Sequence, residues 1–454
     1  MTLNVTNIIT RVNELAAAGN LTTEQTAQIQ YIIDNWDNIP GVSVATEAQL
    51  PTAAENAGRF IYVEDTGEFV ISDGVAWGYF TYPVVVENKL WTWGYNYKGQ
   101  LGDNTATSRL SPITTAGGGT NWSQVSAGRL HTAAIKTDGT LWTWGYNSYG
   151  QLGNMMFDDK SSPITPSNSS TTWKQVSAGD NHTAAIKTDG TLWVWGANVS
   201  GEVGNNNTIL QSSPSTTAGG GNTWSQVSAG SVFTAAVKTD GTLWTWGNNQ
   251  FGKLGIDDTV NRSSPVTIAG GGTTWKQVSA GSRHAAAIKT DGTLWLWGIN
   301  NNGHLGDDTN VSKLSPITTA GGGTDWSQVS AGGYHTAAIK TDGTLWTWVN
   351  NTYGRLGDNT TTTRSSPITT AGGGTNWKEV STGVYGSHTA AVKTDGTLWT
   401  WGYNASGRLG TGNYTSRSSP GTTAGGGTNW SQVSAGADFT AAINIPIYYN
   451  GQLT

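Results

Sequence analysis

Apolar residues in this chain alternate with Thr, Ser and Gly at a spacing of two, in short runs that return at a fixed interval. Such alternation predicts half-buried β-strands, because successive side chains of a strand point to opposite faces. The clearest run is Leu-Trp-x-Trp, whose first Trp falls at Trp91, Trp142, Trp193, Trp244, Trp295, Trp346 and Trp399. The successive spacings are 51, 51, 51, 51, 51 and 53 residues. A second run, Trp-x-x-Val-Ser-(Ala/Thr)-Gly, begins at Trp122, Trp173, Trp224, Trp275, Trp326, Trp377 and Trp430. One period predicts four short strands. The first covers about 124–127 and the second His131–Lys136, which leads into Thr137-Asp138-Gly139. Asp-Gly makes a tight turn because Gly accepts positive φ. The third strand covers 140–144, and the fourth follows Ser-Ser-Pro or Leu-Ser-Pro, where Pro112 and its equivalents suit an edge.

Four antiparallel strands every fifty or so residues is the arithmetic of a propeller blade. The array begins at a third strand (90–93) and stops after a first and second (433–443), so the blades close only if the carboxyl-terminal strands complete the first one. The expected fold is therefore all-β, a seven-bladed propeller over residues 84–454. Val84–Val86 also reads as a second strand and competes with 440–443 for one place. Val349 replaces the Gly that follows every other Trp pair, which predicts a locally altered loop in that blade.

The segment Gly128-x-x-His131-Thr132-Ala133-Ala134-Ile135, followed by Asp138-Gly139-x-Leu141-x-x-Trp144-Gly145-x-Asn147-x-x-Gly150-Gln151-Leu152-Gly153, resembles the repeat of the regulator of chromosome condensation family. The resemblance spans roughly residues 84–443 and recurs seven times. It implies a seven-bladed propeller. The family includes nucleotide exchange factors, protein inhibitors of β-lactamases and bacterial surface proteins, so the fold leaves function open.

Ahead of the repeats, Val5, Ile8, Ile9, Val12 and Leu15 follow helical spacing, and Ile29, Ile32, Ile33 and Trp36 form a second stripe. A small helical hairpin over residues 1–40 is expected. Ile8, Ile9, Val12, Leu15, Ile29, Ile32, Ile33 and Trp36 are its candidate docking or self-association positions, and a homo-oligomer through these helices is one outcome. Residues 41–83 predict a small β module of short strands joined by Gly turns. The stretch 50–77 resembles the small β modules of tailed-phage tail-fibre and virion proteins.

Composition narrows the function. Only 12% of residues are charged, against roughly 25% in an average domain, and Lys+Arg 24 against Asp+Glu 30 gives a net charge of −6. No basic run offers the electrostatic footprint of a nucleic-acid binder, so no nucleic-acid partner is expected. No apolar run reaches the ~20 residues that cross a bilayer, so no membrane insertion is expected. No basic region followed by an apolar stretch opens the chain, which is expected to lack a secretory signal. Zero Cys removes thiol catalysis and thiolate metal sites. Five of six His (His131, His182, His284, His335, His388) start the second strand of successive repeats, and Phe233 and Phe439 fill the same slot. A structural role follows, since a catalytic His requires a unique setting. His304 sits alone in a loop, and Asp158-Asp159 and Asp307-Asp308 lack calcium-loop spacing. No catalytic residue, metal or cofactor is expected.

In an antiparallel meander, the loops joining strands one to two and three to four emerge on one side. Those loops carry the differences between repeats, whereas the opposite turns read Lys-Thr-Asp-Gly-Thr in six copies. Loops on a rigid scaffold are where recognition resides, and Tyr and Arg combine contact area with hydrogen bonding. The candidate binding face comprises Tyr95, Tyr97, Arg129, Tyr146, Tyr149, Asn181, Phe251, Arg283, Tyr334, Tyr353, Tyr385 and Arg408. The expected protein is a non-enzymatic phage virion component. It is read as a tail-fibre or receptor-binding part, assembled in the host cytoplasm and attached to other tail or baseplate proteins. Its rim meets a host surface glycan or protein. The alternative is a soluble propeller acting as a protein-binding inhibitor or a bacterial surface adhesin.

Overall fold

The computed structural model of the chain describes residues 88–445 except 117, 118, 168, 169 and 372, together with the strand residues 43–45, 60–63, 68–72, 77–79, 84–86 and 447–449. The helices expected over residues 1–40, and their eight docking positions, lie outside the described residues. The chain divides into two units, with boundaries between residues 87 and 88 and between 446 and 447. In the first, β1 (Ser43–Ala45), β2 (Phe60–Val63), β3 (Glu68–Ser72) and β4 (Trp77–Tyr79) pair in that order, β1 parallel to β2 and the rest antiparallel. There β5 (Val84–Val86) pairs with β34 (Ile447–Tyr449).

The second unit is the propeller. It opens with β6 (Lys89–Gly94) and β7 (Arg109–Thr114), continues with β8 (Trp122–Ala127), β9 (His131–Lys136), β10 (Leu141–Gly145) and β11 (Lys160–Ile164), and repeats that set as β12 to β31 over residues 173–422. It ends with β32 (Trp430–Ala435) and β33 (Phe439–Asn444). Seven four-stranded sheets result, one of them ordered β32-β33-β6-β7. In that blade β33 pairs with β6 from Phe439 opposite Gly94 to Asn444 opposite Lys89, so the carboxyl-terminal strands complete the first blade as the repeat count requires. The competition between Val84–Val86 and β33 is thereby settled: β33 takes the place beside β6, and β5 pairs elsewhere. We number this closing blade 1 and β8–β11 blade 2, up to blade 7.

The first strand of each blade is innermost, each packed beside the first strand of the next, β32 beside β8 included. These strands start earlier than the expected 124, because the Trp122 N–H donates to the Asn88 carbonyl at the far end of blade 1, as Trp173 does to Gly139. Each fourth strand runs through its Pro rather than following it, which the free outer edge permits. The apolar core lies between blades. Ala133, Ile135 and Leu141 of blade 2 pack against Trp173, Val176, Ala178, Ala185 and Trp195 of blade 3. Trp173 stands edge-on to Trp193 with ring centres 6.4 Å apart, and the Lys187 ammonium lies 5.0 Å above the Trp173 ring.

The altered loop expected at Val349 does not occur. Val349 holds φ at 94°, beside 104° at Gly298, because it is paired with His335 on one side and Arg364 on the other. The accommodation is small: the Asn350 N–H reaches the Tyr334 carbonyl at 3.3 Å, against 3.0 Å for Ile299 to Arg283. Val349 itself is fully buried.

Candidate protein-binding rim

The loop between third and fourth strands is built on an Asn. In blade 1, Asn96 Oδ1 accepts from the Leu101 N–H at 2.9 Å, while Nδ2 donates to the Thr105 and Thr107 carbonyls, both at 3.1 Å. Asn147, Asn198, Asn249, Asn300, Asn351 and Asn404 occupy the same position in the other blades, all buried. The fold of this loop is therefore held from within, and the residues around the Asn are free to differ.

Four residues beyond each Asn lies a residue whose carbonyl reaches the next blade. The Gln100 carbonyl accepts from Trp144 Nε1 at 3.0 Å and Thr132 Oγ1 at 2.7 Å. The same Trp bond recurs to Gln151, Glu202, Lys253, His304, Arg355 and, across the closure, from Trp93 to Arg408 at 2.9 Å. These seven residues form a ring at the rim, and their side chains are 0 to 4% exposed. In blades 1 to 3 the side chain folds back on its own turn. Gln100 Oε1 accepts from the Lys98 N–H at 3.0 Å, Gln151 Oε1 from Tyr149 at 3.0 Å, and a Glu202 carboxylate oxygen from Ser200 at 2.9 Å. Lys253, Arg355 and Arg408 have no acceptor atom to do this, and their cations turn elsewhere.

Arg408 is buried, not a surface contact. It donates to the Ala437 carbonyl at 3.1 Å and pairs with Asp438 at 2.6 Å, both in blade 1, and its guanidinium lies 4.8 Å from the Tyr403 ring centre. Tyr403 stacks on Tyr353 at 4.1 Å. Arg355 lies 5.5 Å from Tyr353 and 5.0 Å from Tyr334. Tyr334, Arg355, Tyr353, Tyr403 and Arg408 thus form one run of rings and guanidinium groups across blades 6 and 7, with the stacked Tyr353 and Tyr403 between the two Arg. Burial pushes Arg355 down to about 10, and burial with the neighbouring Arg283 pushes Lys253 down to about 8.

A second cluster sits where the inner loops converge. The blade 7 loop, two residues longer than the others, carries Tyr385. Its hydroxyl meets Ser231 Oγ of blade 4 at 2.7 Å, and Arg129 of blade 2 stands 5.1 Å from its ring. Arg129 also pairs with the buried Asp180 of blade 3 at 3.3 Å. Burial raises the Asp180 carboxyl, opposed by Arg129. One loop therefore ties residues of four blades together across the ring.

Of the residues expected on this face, Tyr97, Arg129, Tyr149, Phe251, Arg283, Tyr334 and Tyr353 are exposed, while Tyr95, Tyr146, Asn181 and Tyr385 are half-buried. Tyr95 packs on Tyr97 at 4.7 Å and Tyr146 on Tyr149 at 6.2 Å. Asn181, Phe251 and Arg283 join neither cluster. Missing from the expectation were Asp180, Ser231, Lys253, Arg355 and Tyr403, and His304 was set aside. A signal existed: between the Gly and the Leu or Val of each loop the repeats read Gln, Gln, Glu, Lys, His, Arg, Arg.

The five recurrent His are structural links. His131 Nε2 meets Thr183 Oγ1 of the next blade at 3.0 Å, and the other four repeat the pair. Where Phe233 replaces His, the facing residue is Ala285 and not Thr. Burial drives His131 down to about 3 and His182 to about 4. Among the described residues no group of three His, Asp or Glu is placed to hold a metal ion. No helix is long and apolar enough to cross a membrane among those residues.

A ring of seven four-stranded blades closed by its carboxyl-terminal strands defines a seven-bladed β-propeller. A model of the RCC1-like domain matches residues 89–442, and the chain belongs to that family. It is 31% identical over 335 residues to the ultraviolet-B receptor UVR8 of Arabidopsis thaliana, covering 72% of this chain and 76% of the receptor. It is 27% identical over 307 residues to the mitochondrial RCC1 domain-containing protein RUG3 of the same plant, covering 63% of this chain and 66% of that protein. It also matches the human E3 ubiquitin-protein ligase HERC2 at 27% identity, where it spans 7% of the ligase. Among solved structures, human WBSCR16 superposes with a TM-score of 0.69 at 21% identity, covering 79% of this chain and 99% of that one. Yeast RCC1 (Prp20) bound to Kap60 gives 0.69 at 20%, covering 81% and 90%. These likenesses show the fold.

The relatives correct the functional expectation. They are plant, animal and yeast proteins of the RCC1-like family, so the reading as a phage tail-fibre component falls. With it fall the tail, baseplate and host-surface partners and the virion location. The matched region starts at residue 89, and short strands joined by Gly turns are too generic a pattern to carry a virion origin.

Proposed function

We propose that this protein is a non-catalytic propeller that regulates a protein partner by binding it on the rim described above. The observation that carries this reading is the distribution of exposed rings. Tyr97 (69% exposed), Tyr149 (39%), Phe251 (41%), Tyr334 (40%) and Tyr353 (42%) all stand on the loops of one rim. The opposite rim repeats a closed hydrogen-bond chain, with Asp138 accepting from the Thr140 N–H and hydroxyl and Thr140 Oγ1 accepting from Trp142 Nε1. Large amphipathic rings in a mobile-water boundary are what protein interfaces enrich. Protein binding is also the theme of the neighbours: yeast RCC1 is seen bound to Kap60, and Prp20p has binding properties to Gsp1p and histones.

The test immobilises the full chain and captures proteins from a lysate of its source cell. A Tyr97→Ala, Tyr149→Ala, Tyr353→Ala triple variant is expected to lose a partner that a variant of the opposite rim, Asp189→Ala with Asp240→Ala, retains. Equal capture by both variants refutes the reading.

A further inference from the structure

Each rim-ring residue has as its counterpart the residue that immediately precedes the second strand of the next blade, at the end of that blade's inner loop. Arg408 shows how the pairing is satisfied: its guanidinium meets Asp438, 2.6 Å away. The corresponding neighbour of Lys253 is Arg283, that of His304 is Tyr334, and that of Arg355 is Ser387. Blades 4 and 6 therefore place a buried cation, and blade 5 a neutral His304 that burial and Arg283 push down to about 4, against a loop that supplies no carboxylate. Among the described residues Lys253 and Arg355 make no ion pair and no side-chain hydrogen bond; the Glu202 carboxylate of blade 3 favours the Lys253 charge from a distance, and Arg355 has no carboxylate neighbour at all. Arg355 Nε and His304 Nδ1 are buried without any acceptor or donor partner. Lys253 is 4% exposed, His304 4% and Arg355 3%. Arg283, which is exposed, stands close enough to Lys253 and His304 to lower the proton affinity of both.

A cation withdrawn from water without an anion is held at a cost, which a positioned carboxylate removes. Accepting that this rim binds a protein, we propose that the arc of Lys253, Arg283, His304 and Arg355 receives the Asp or Glu side chains of an acidic segment of that partner. Asp438 on Arg408 is the internal likeness of the incoming group. The exposed ring of Tyr334, 5.0 Å from Arg355, walls the arc with apolar surface that a peptide covers and a bare phosphate does not. A continuous polyanion fits poorly. Asp103, Asp158, Asp159 and Asp180 line the same rim in blades 1 to 3, and the chain carries a net charge of −6.

The probe is a fluorescein-labelled decapeptide of alternating Glu and Gly, titrated onto the full chain by fluorescence anisotropy, with a Gln-for-Glu peptide as control. The Glu peptide is expected to bind, the control not, with affinity falling as salt rises. Lys253→Gln and Arg355→Gln each weaken binding about tenfold, the loss of one charge-assisted hydrogen bond. Arg283→Asp is the decisive variant. It gives Lys253 the internal carboxylate that Arg408 already has, so it abolishes peptide binding while raising the melting temperature. Equal binding of both peptides, unchanged binding by Arg283→Asp, or tighter binding of a ten-residue oligo-dT overturns the proposal. Partner capture separates the two claims. A partner lost by the Tyr triple variant but kept by Arg283→Asp sinks only the acidic-segment inference, whereas no rim-dependent partner at all sinks the protein-binding reading.

Discussion

Two rings of polar residues run around the propeller, and they vary in opposite ways. On the inner strands, Gln124, Gln175, Gln226, Gln277, Gln328 and Gln432 each use the side-chain oxygen to accept from the Val N–H of the next blade, at 2.7 to 3.2 Å. Only Glu379 departs from Gln. On the rim, the equivalent inter-blade bond is made by a backbone carbonyl, and the side chain there is Gln, Gln, Glu, Lys, His, Arg or Arg. Where the side chain itself bridges two blades, identity is fixed by geometry. Where the backbone does so, identity is released, and a buried position becomes open to diversification. That difference explains how a repeat protein changes its binding chemistry without disturbing ring closure.

The severest way to break the comparison is to remove what both rings share. A chain ending at residue 429 lacks β32 and β33, leaving Leu90 and Trp93 of β6 without their inner partners. Closed rings lose cooperativity when one blade is halved, so the loss should match the whole stability of a domain, roughly 5–15 kcal/mol. Calorimetry should show no cooperative transition, and a retained sharp transition would contradict closure as the source of stability.

Single substitutions sharpen the contrast. Gln226 both accepts from the Val278 N–H at 2.7 Å and donates to its carbonyl at 3.0 Å. Gln226→Leu orphans both groups, at a cost of about 1–3 kcal/mol. Lys253→Met on the rim keeps the carbonyl that accepts from Trp297 and removes an unpaired cation, so its cost is under about 1 kcal/mol or negative. Urea unfolding of the two variants orders them, and a costlier Lys253→Met would invert the argument.

Glu379 tests the inner ring by pH. It accepts from the Val433 N–H at 3.4 Å, longer than the Gln bonds, and burial pushes its carboxyl up to about 8 from an ordinary 4.5. The unfolded chain therefore releases this proton first, and stability falls as pH rises from 4.5 towards 8. Glu379→Gln should raise the melting temperature at pH 8 by several degrees and by little at pH 5. An equal gain at both would mean that the carboxyl is ordinary.

Much of this molecule is legible in its sequence, because the signals are local and repeated. Asp138-Gly139 fixes a turn and Leu141, Trp142 and Trp144 fix a strand, and both need only their neighbours. Closure by 433–443 followed from counting strands. Val84–Val86 could not be placed by pattern, since three Val residues suit β5 and a blade strand alike and the choice depends on Ile447–Tyr449. Val349 misled because propensity argues for a changed loop while pairing with His335 and Arg364 on the neighbouring strands holds the backbone at φ 94°. The rim arc was hidden for a similar reason. Read within one repeat, Lys253 or Arg355 is a loop residue facing water. Its burial, and the want of a carboxylate in the loop that follows it around the ring, belong to the neighbouring blade. The phage reading failed because Gly-turned short strands specify little.

The smallest effect concerns the His links, where sequence already supplies the control. The buried His131 is held neutral, near 3, so below its ordinary 6.5 the unfolded chain takes up the proton first. Each such His removes about 1.4 kcal/mol of stability per pH unit as pH falls from 6.5, and His182, His284, His335 and His388 are depressed by the same burial. His131→Phe recreates the arrangement of Phe439, which faces Thr132 while that hydroxyl donates to the Gln100 carbonyl. In the variant Thr183 Oγ1 keeps its own bond to the Gln151 carbonyl at 2.8 Å, so no donor is orphaned and the cost at pH 7 is under about 1 kcal/mol. At pH 5 the wild type has already lost stability through His131 and the variant has not. The two melting curves should therefore cross between pH 7 and pH 5, and a variant that stays below wild type by a constant margin would show that His131 is not held neutral.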